Sequence, residues 1–501
     1  MSTESVVQHP DKLFIDGAWV APSSASKIVV TNSATEEVFL TVAEAQEADV
    51  DRAVAAARRA FDRGPWPRMT PDERAGCMRA MSDELDKRAE ANAVVWTVEA
   101  GALHGFTKMR AAGFGNDYRI YAAMADTFDF QERHKPEAGG DVALLVREPV
   151  GVVAAIVPWN AAAAAIVKKV GPALIAGCTV IVKASPEAPG AAYLLAEACE
   201  AAGMPPGVVN ILTADRAVSE LLVRHPDVDK IAFTGSTAAG RRIASICGER
   251  IARCTLELGG KSPAVILDDF DIGTAAQKIA SRATFLTGQV CASLTRIIVT
   301  RPRHDALVEA LSAEFEKVRV GDPFDPATQM GPLAMRRQRE RVESYIDKGK
   351  AEGATLAIGG GRPKHLNRGF FVEPTVFGDV ENNFTIAREE IFGPVLSVIP
   401  ADAEEQALEI ANDTIYGLNA SVFTNDLERA YAVARRLRSG TVGQNMMRNE
   451  GGLAFGGFKQ SGIGREGGRE GLHAYLETKV IVLDGMPNSA GRVADRRAPA
   501  L

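Results

Sequence analysis

Lys230-Ile231-Ala232-Phe233-Thr234-Gly235-Ser236-Thr237-Ala238-Ala239-Gly240 is the stretch that decides the fold. The apolar run Lys230–Phe233 reads as a strand, Thr234–Gly240 as a glycine turn, and a helix is expected from Arg241. A strand feeding a helix start presents free backbone N–H groups and the positive end of the helix dipole, which suit a phosphate. Short continuous apolar runs at 150–157 and 180–182 read as strands buried on both faces, and stretches such as 191–202 read as helices among them. This alternation implies a parallel α/β sheet. Nearer the N-terminus, Val50, Ala53, Val54, Ala57 and Phe61 fall at helical spacing with Arg52, Arg58 and Arg59 on other faces. Pro65, Pro67 and Pro71 precede a second helix over 73–88.

With 501 residues the chain exceeds one ordinary core, and roughly two or three domains are expected. A second α/β segment, 271–445, follows the Gly259-Gly260 pair. Residues 129–148, with Gly139-Gly140 at their centre, read as a protruding hairpin, and 476–483 as a late strand. The Ala- and Arg-rich tail after Pro487 has no apolar periodicity and is expected to be loose. A formal charge of -7 argues against nucleic acid as a partner. No apolar run approaches the roughly 20 residues that span a bilayer, and the start has no secretory pattern, so no membrane association is expected. Six cysteines without Cys-x-x-Cys spacing form no disulfide framework, and seven scattered histidines suggest no metal site. A reducing cytoplasm fits.

Three residues stand out chemically. A thiol attacks a carbonyl well only as thiolate, so a nucleophilic cysteine needs a local field and substrate access. Cys291, between Gly288 and the small Ala292 and Ser293, has room for a substrate. The other cysteines lie in helical or strand-like apolar settings, where packing is the simpler reading. Glu257 interrupts an apolar run that ends in Gly259-Gly260. A semi-buried carboxylate there would have a raised pKa and would suit a base that takes a proton from attacking water. Asn160, after Trp159, reads by itself as a turn residue; only its order and distance from the other motifs would make its side-chain N–H a donor to an oxyanion, with the Cys291 backbone N–H as second donor.

Taken with Val157-Pro158-Trp159-Asn160, Val182-Lys183, Phe233-Thr234-Gly235-Ser236-Thr237, Leu256-Glu257-Leu258-Gly259-Gly260-Lys261 and Glu389-Glu390-Ile391-Phe392-Gly393-Pro394, the chain resembles the NAD(P)-dependent aldehyde dehydrogenase superfamily from about Leu13 to Leu483. The resemblance implies a Rossmann-like cofactor domain (1–128 and 149–258), a second α/β catalytic domain (259–475) and a small β oligomerisation arm (129–148 and 476–486), with 487–501 as the tail. It implies a homotetramer or homodimer. Lys183 and Ser185 would hold the adenosine ribose, Ser236 the pyrophosphate and Glu390 the nicotinamide ribose, with Phe392 against the nicotinamide. Ile156, Trp159, Glu187, Phe233, Gly235, Leu258 and Gly259 complete the expected cofactor site. Lys169 and Glu466 match positions assigned to a proton relay.

The chain departs from its relatives at several points. Where NAD-preferring members carry Glu three positions after the lysine, Pro186 stands here and Glu187 comes one later. NAD is expected, with NADP as the alternative. Thr213-Ala214-Asp215-Arg216 replaces the usual glycine pair, so the adenine end is expected to be reshaped. Ala161 to Ala165 replaces an aromatic after Asn160. Together with Met446, Met447 and Phe455, these small and flexible walls imply a roomy apolar pocket. The expected reaction is oxidation of a bulky hydrophobic aldehyde (aromatic, terpenoid or aliphatic) to its acid through a Cys291 thiohemiacetal and thioester. A carboxylated semialdehyde met by Arg448, a CoA-acylating reaction and a silent binding protein are the alternatives, and an intact Glu257 speaks against the last two.

Overall fold

The computed structural model describes residues 6–488 and 491–495. Its first sheet has eight strands in the order Gly462–Ile463, Arg253–Glu257, Lys230–Thr234, Val152–Ile156, Thr179–Ala184, Val209–Thr213, Leu13–Ile15 and Ala18–Val20. The five central strands are parallel and the edge strands antiparallel. The helices Ala162–Ala176 and Gly190–Ala201 belong to one apolar cluster with this sheet, while Glu47–Arg63 and Thr237–Arg250 belong to another. Helices on both faces are why the central strands are apolar along their length rather than alternating. The expected α/β architecture is the observed one.

Chain order fixes where a ligand can enter. From Val152–Ile156 the chain moves outward through Thr179–Ala184 to Val209–Thr213. It then crosses back to Lys230–Thr234, on the opposite side of Val152–Ile156. The strand order reverses there, and in such sheets a crevice opens beyond the carboxyl ends of the strands. Ile156 lies opposite Lys183 on one side and Phe233 on the other, so these three form a row at that edge.

The helix after Lys230–Thr234 starts earlier than the glycines suggest, at Thr237 rather than Arg241. Ser236 caps it, its hydroxyl accepting the Ala239 N–H at 3.3 Å. Gly240 is therefore inside the helix. Its role is close packing, since a Cβ there would lie 2.4 Å from Leu258 Cδ2.

Only Leu258-Gly259-Gly260-Lys261 separates this sheet from the second. The second has seven strands, in the order Thr355–Ile358, Thr375–Gly378, Val395–Ala401, Leu294–Thr300, Ser262–Ile266, Asn419–Phe423 and Thr441–Gln444. All are parallel except Thr355–Ile358. It begins at Ser262, before the segment expected from 271, and the chain later returns to the first sheet at Gly462–Ile463.

A third sheet joins the hairpin Gln131–His134 and Val142–Pro149 to Leu476–Leu483. The tail expected to be loose is tied down in part. Ala494–Asp495 runs parallel to Glu132–Arg133, and Arg492 donates to the carbonyls of Ala125 and Asp126. Open strand-edge groups recruit even a segment without apolar periodicity. The rest of that expectation, 489–490 and 496–501, lies outside the described residues.

Arg296 clamps the second sheet beside the link. Fully buried, it donates to the carbonyls of Lys261 (3.0 Å), Ile410 (2.9 Å) and Ala411 (2.8 Å) and to Asn382 Oδ1 (3.1 Å). Burial lowers its pKa to about 10, which still leaves it charged at neutral pH. Arg296→Met would strand these acceptors and is expected to destabilise the chain by about 3 kcal/mol or more, read as a lowered midpoint of thermal unfolding. An unchanged midpoint would contradict the clamp.

Candidate active site

Cys291 ends a loop with unusual backbone. Leu286, Thr287 and Gly288 are all left-handed, with φ of 48°, 55° and 71°. Such a run is strained for residues with side chains and persists only where neighbours over-determine it. The Gln289 side chain does this: its amide donates to the Ala100 and Leu286 carbonyls, and its oxygen accepts the Ala334 N–H at 2.9 Å. The Thr287 hydroxyl donates to the Gly331 carbonyl at 3.0 Å. Gly288 lies so close to Gly393 that a Cβ would sit 2.3 Å from its carbonyl carbon. The Cys291 thiol is half-buried and free. Burial, with the fields of Glu390 and Glu257, pushes its pKa up to about 12, against a smaller opposing effect of Lys168. Without ligand it is a thiol.

The link Leu258–Lys261 folds onto this loop. A Cβ on Gly260 would meet the Cys291 carbonyl oxygen at 2.3 Å, and one on Gly259 would meet Glu390 Oε2 at 2.3 Å. Both glycines are required by close approach. Glu390 accepts the Gly260 N–H at 3.1 Å. Burial raises its pKa to about 7, against the pull of that bond and of Arg341 and Lys261.

Glu257 is 3 % exposed, and neither of its carboxylate oxygens has a hydrogen-bond partner among the described residues. Its Oε1 rests where a Cβ on Gly456 would come within 2.7 Å. Burial and the nearby charge of Glu466 hold its pKa well above the usual carboxylate range, while Lys169, Lys168 and Arg465 pull the other way. Lys169 and Glu466, both buried, pair at 2.6 Å, and Lys169 also donates to Thr234 Oγ1 at 2.5 Å. Glu466 exchanges backbone hydrogen bonds with Phe455, which ties this pair to the wall beside Cys291. Asn160 Nδ2 donates one N–H to the Gln289 carbonyl at 2.8 Å, leaving a second donor.

At the carboxyl edge of the first sheet, Ile156, Phe233 and Leu258 share one apolar cluster. The Lys183 ammonium makes no hydrogen bond or ion pair among the described residues. Burial lowers its pKa to about 8, against the fields of Glu187 and Asp215. Glu187 accepts from the Ser185 hydroxyl and pairs with Arg337 at 2.5 Å. Asp215 caps the helix Arg216–Arg224 through the Val218 N–H. Gly235 donates to the Glu257 carbonyl at 3.0 Å, and Ser236 is exposed at its helix start. Trp159 meets Phe392 edge to face at 5.3 Å, Phe392 being held at a φ of 63°. An unpaired cation, an open helix start and a glycine turn fit an anionic dinucleotide at the switch point.

On the substrate side, Met447, Phe455 and Cys291 belong to one apolar cluster, while Ala161, Ala163, Ala164 and Leu286 pack against a neighbouring one. Met446 is half-buried, its carbonyl accepting from the Ser421 hydroxyl. Arg448 is exposed. Sequence reading overlooked Gln289 as the loop's anchor, Thr234 as a partner of Lys169, and Lys168, whose ammonium lies 4.4 Å from the Phe455 ring centroid. Only Lys168 left a signal, its helical spacing from Ala161, Ala164 and Ala165. Among the described residues no group of three or more His, Cys, Asp or Glu could hold a metal ion, and no helix is long and apolar enough to cross a membrane.

Residues 19–481 match the aldehyde dehydrogenase family model. The chain is 42% identical over 474 residues to geranial dehydrogenase of Castellaniella defragrans, covering 94% of this chain and 98% of that one. It is 41% identical to 3-succinoylsemialdehyde-pyridine dehydrogenase of a Pseudomonas species, covering 94% and 98%. The crystal structure of Mycobacterium tuberculosis aldehyde dehydrogenase complexed with NAD+ superposes with a TM-score of 0.91 at 43% identity, covering 94% and 98%. The chain belongs to the aldehyde dehydrogenase family and is an NAD(P)-dependent aldehyde dehydrogenase.

Because its pKa lies near 12, the fraction of Cys291 present as thiolate should rise about tenfold per pH unit through the neutral range. In the cofactor-free enzyme, iodoacetamide labelling of the Cys291 peptide, followed by mass spectrometry, should climb from pH 6 to 9 without levelling. A plateau below pH 8 would show a lower thiol pKa.

Proposed function

We propose that the enzyme oxidises a bulky apolar aldehyde to its carboxylic acid, with Cys291 as nucleophile and Glu257 as the base that admits water. One observation carries this reading. A buried carboxylate with both oxygens unpartnered lies within the field of the Cys291 thiol, and the glycine pair that follows it packs against the Cys291 carbonyl and Glu390. Such a group is costly unless it has a task.

Cys291 sulfur adds to the carbonyl carbon once its proton has passed to solvent, and the new oxyanion is met by the second N–H of Asn160 and by the Cys291 backbone N–H. Covalent attachment makes the carbon tetrahedral and electron-rich, so that it expels hydride. Bound NAD(P)+ supplies the hydride acceptor. Lys183, Ser185, Ser236 and Glu390 would hold the dinucleotide, with Ile156, Trp159, Phe233, Gly235, Leu258, Gly259 and Phe392 shaping its walls. Glu257 then takes a proton from the water that attacks the thioester, and Lys169 with Glu466 carries that proton away. A CoA-acylating reaction would leave Glu257 without work.

Support for an apolar substrate comes from Met447 and Phe455 in the cluster with Cys291, from Ala161 in the neighbouring one, and from the relative named for geranial. NAD+ is the assigned cofactor. Glu187 is occupied by Ser185 and Arg337, so no free carboxylate there repels a 2′-phosphate, and NADP+ should serve as a second cofactor. Leu476–Leu483 is an edge strand with Val480 and Val482 exposed, which suits pairing with another copy in a homodimer or homotetramer. Free cysteines suit the cytoplasm.

With NAD+ and a panel of aromatic, terpenoid and aliphatic aldehydes, absorbance at 340 nm should rise, and Cys291→Ala should lower the rate at least about a thousandfold. Retention of full activity by Cys291→Ala, or turnover of small polar aldehydes alone, would contradict the reading.

A further inference from the structure

On the helix Ala162–Ala176, Ala164, Ala165 and Lys168 fall on one stripe that continues from the N-cap Ala161, and Lys168 reaches Phe455 of the cluster that holds Cys291. The two consecutive lysines of this helix meet different fates. Lys169 is buried and fully engaged with Glu466 and Thr234. Lys168 is half-buried, and among the described residues no carboxylate pairs with it and no oxygen accepts from it. Its partner is a ring face, the Nζ lying 4.4 Å from the centroid of Phe455. Phe455 packs in the cluster that holds Cys291 and Met447. The charge of Lys168 is felt at both the Cys291 thiol and the Glu257 carboxyl. An ammonium with no protein oxygen to accept from it depends on a π-face and on solvent, which a substrate lying over Phe455 would displace. Whatever enters between Phe455 and the thiol decides whether those donors are satisfied or further desolvated.

We infer that Lys168 is a substrate-selecting cation of the aldehyde passage, favouring apolar aldehydes that carry a remote oxygen acceptor, a keto group or a carboxylate, over plain hydrocarbon chains. The inference rests on the proposed reading of Cys291 as nucleophile. It transfers to Lys168 the part that the sequence suggested for Arg448, which is exposed. An acceptor at the right distance from the aldehyde carbon takes hydrogen bonds from Nζ while the rest of the chain lies on Ala161, Met447 and Phe455. A methyl-ended aldehyde of the same length leaves the ammonium with the ring alone.

The test compares kcat/KM for matched pairs of aldehydes of about five to nine carbons, methyl-ended against carboxylate- or keto-bearing, in the wild type, K168M and K168R. In the wild type the acceptor-to-methyl ratio should exceed one and peak at one chain length. K168M should lower that peak ratio about tenfold, chiefly through KM, and K168R should restore most of it. A wild-type ratio below one at every length would overturn the inference, and so would K168M slowing both members of each pair equally. Should K168M fail to fold, the wild-type ratio and the relative inhibition by matched dicarboxylates and monocarboxylates decide the question. Failure of the wild type to oxidise any aldehyde in the panel would instead refute the parent reading.

Discussion

The structure turns on the close approach of four linking residues, Leu258-Gly259-Gly260-Lys261, to the loop that carries Cys291. Two side-chain-free positions let the end of the first sheet lie against the Cys291 carbonyl and the Glu390 carboxylate. A methyl group at either position would occupy space already filled. Because the link is so short, Glu257, at the end of the strand Arg253–Glu257 of one sheet, and Cys291, just before a strand of the other, have little freedom to part. A constraint of backbone thickness thus holds thiol and carboxylate in one electrostatic neighbourhood.

That neighbourhood is unfavourable for charge. Burial raises the pKa of Cys291, Glu257 and Glu390, and the carboxylates add to the effect on the thiol. Lys169 is held by Glu466 and Thr234, so its charge is largely spent within the protein. The site therefore rests with its nucleophile protonated, and a bound cationic nicotinamide is the kind of group that would change this balance. The strained turn at Leu286–Gly288 is supported elsewhere, by Gln289 and Thr287. Rigidity before the thiol fixes the sulfur's position without using the groups that surround it.

The parallel sheets were legible from continuous apolar runs, because strands buried on both faces have no alternative pattern. Cys291, Glu257 and Asn160 were legible from residue chemistry and family resemblance; the fold sets Glu257 within the field of the Cys291 thiol and ties Asn160 to the Gln289 carbonyl of the same loop. The start of the helix at Thr237 was misjudged because Gly240 reads as turn, whereas a glycine in a helix can also serve close packing against Leu258. The Ala494–Asp495 pairing was illegible because an open strand edge, not the tail's own periodicity, creates it. Lys168 left only its helical spacing as a signal, and the folded helix shows that Lys169 is buried while Lys168 lies against Phe455.

The central claim is that Glu257 admits water to an acyl group held on Cys291. Its most direct test is Glu257→Gln mixed with NAD+ and an accepted aldehyde, quenched in acid and mapped by mass spectrometry. The account predicts one equivalent of reduced cofactor and a stable acyl mass on the peptide containing Cys291. Steady turnover at the wild-type rate with no adduct, or an adduct on another residue, would contradict it.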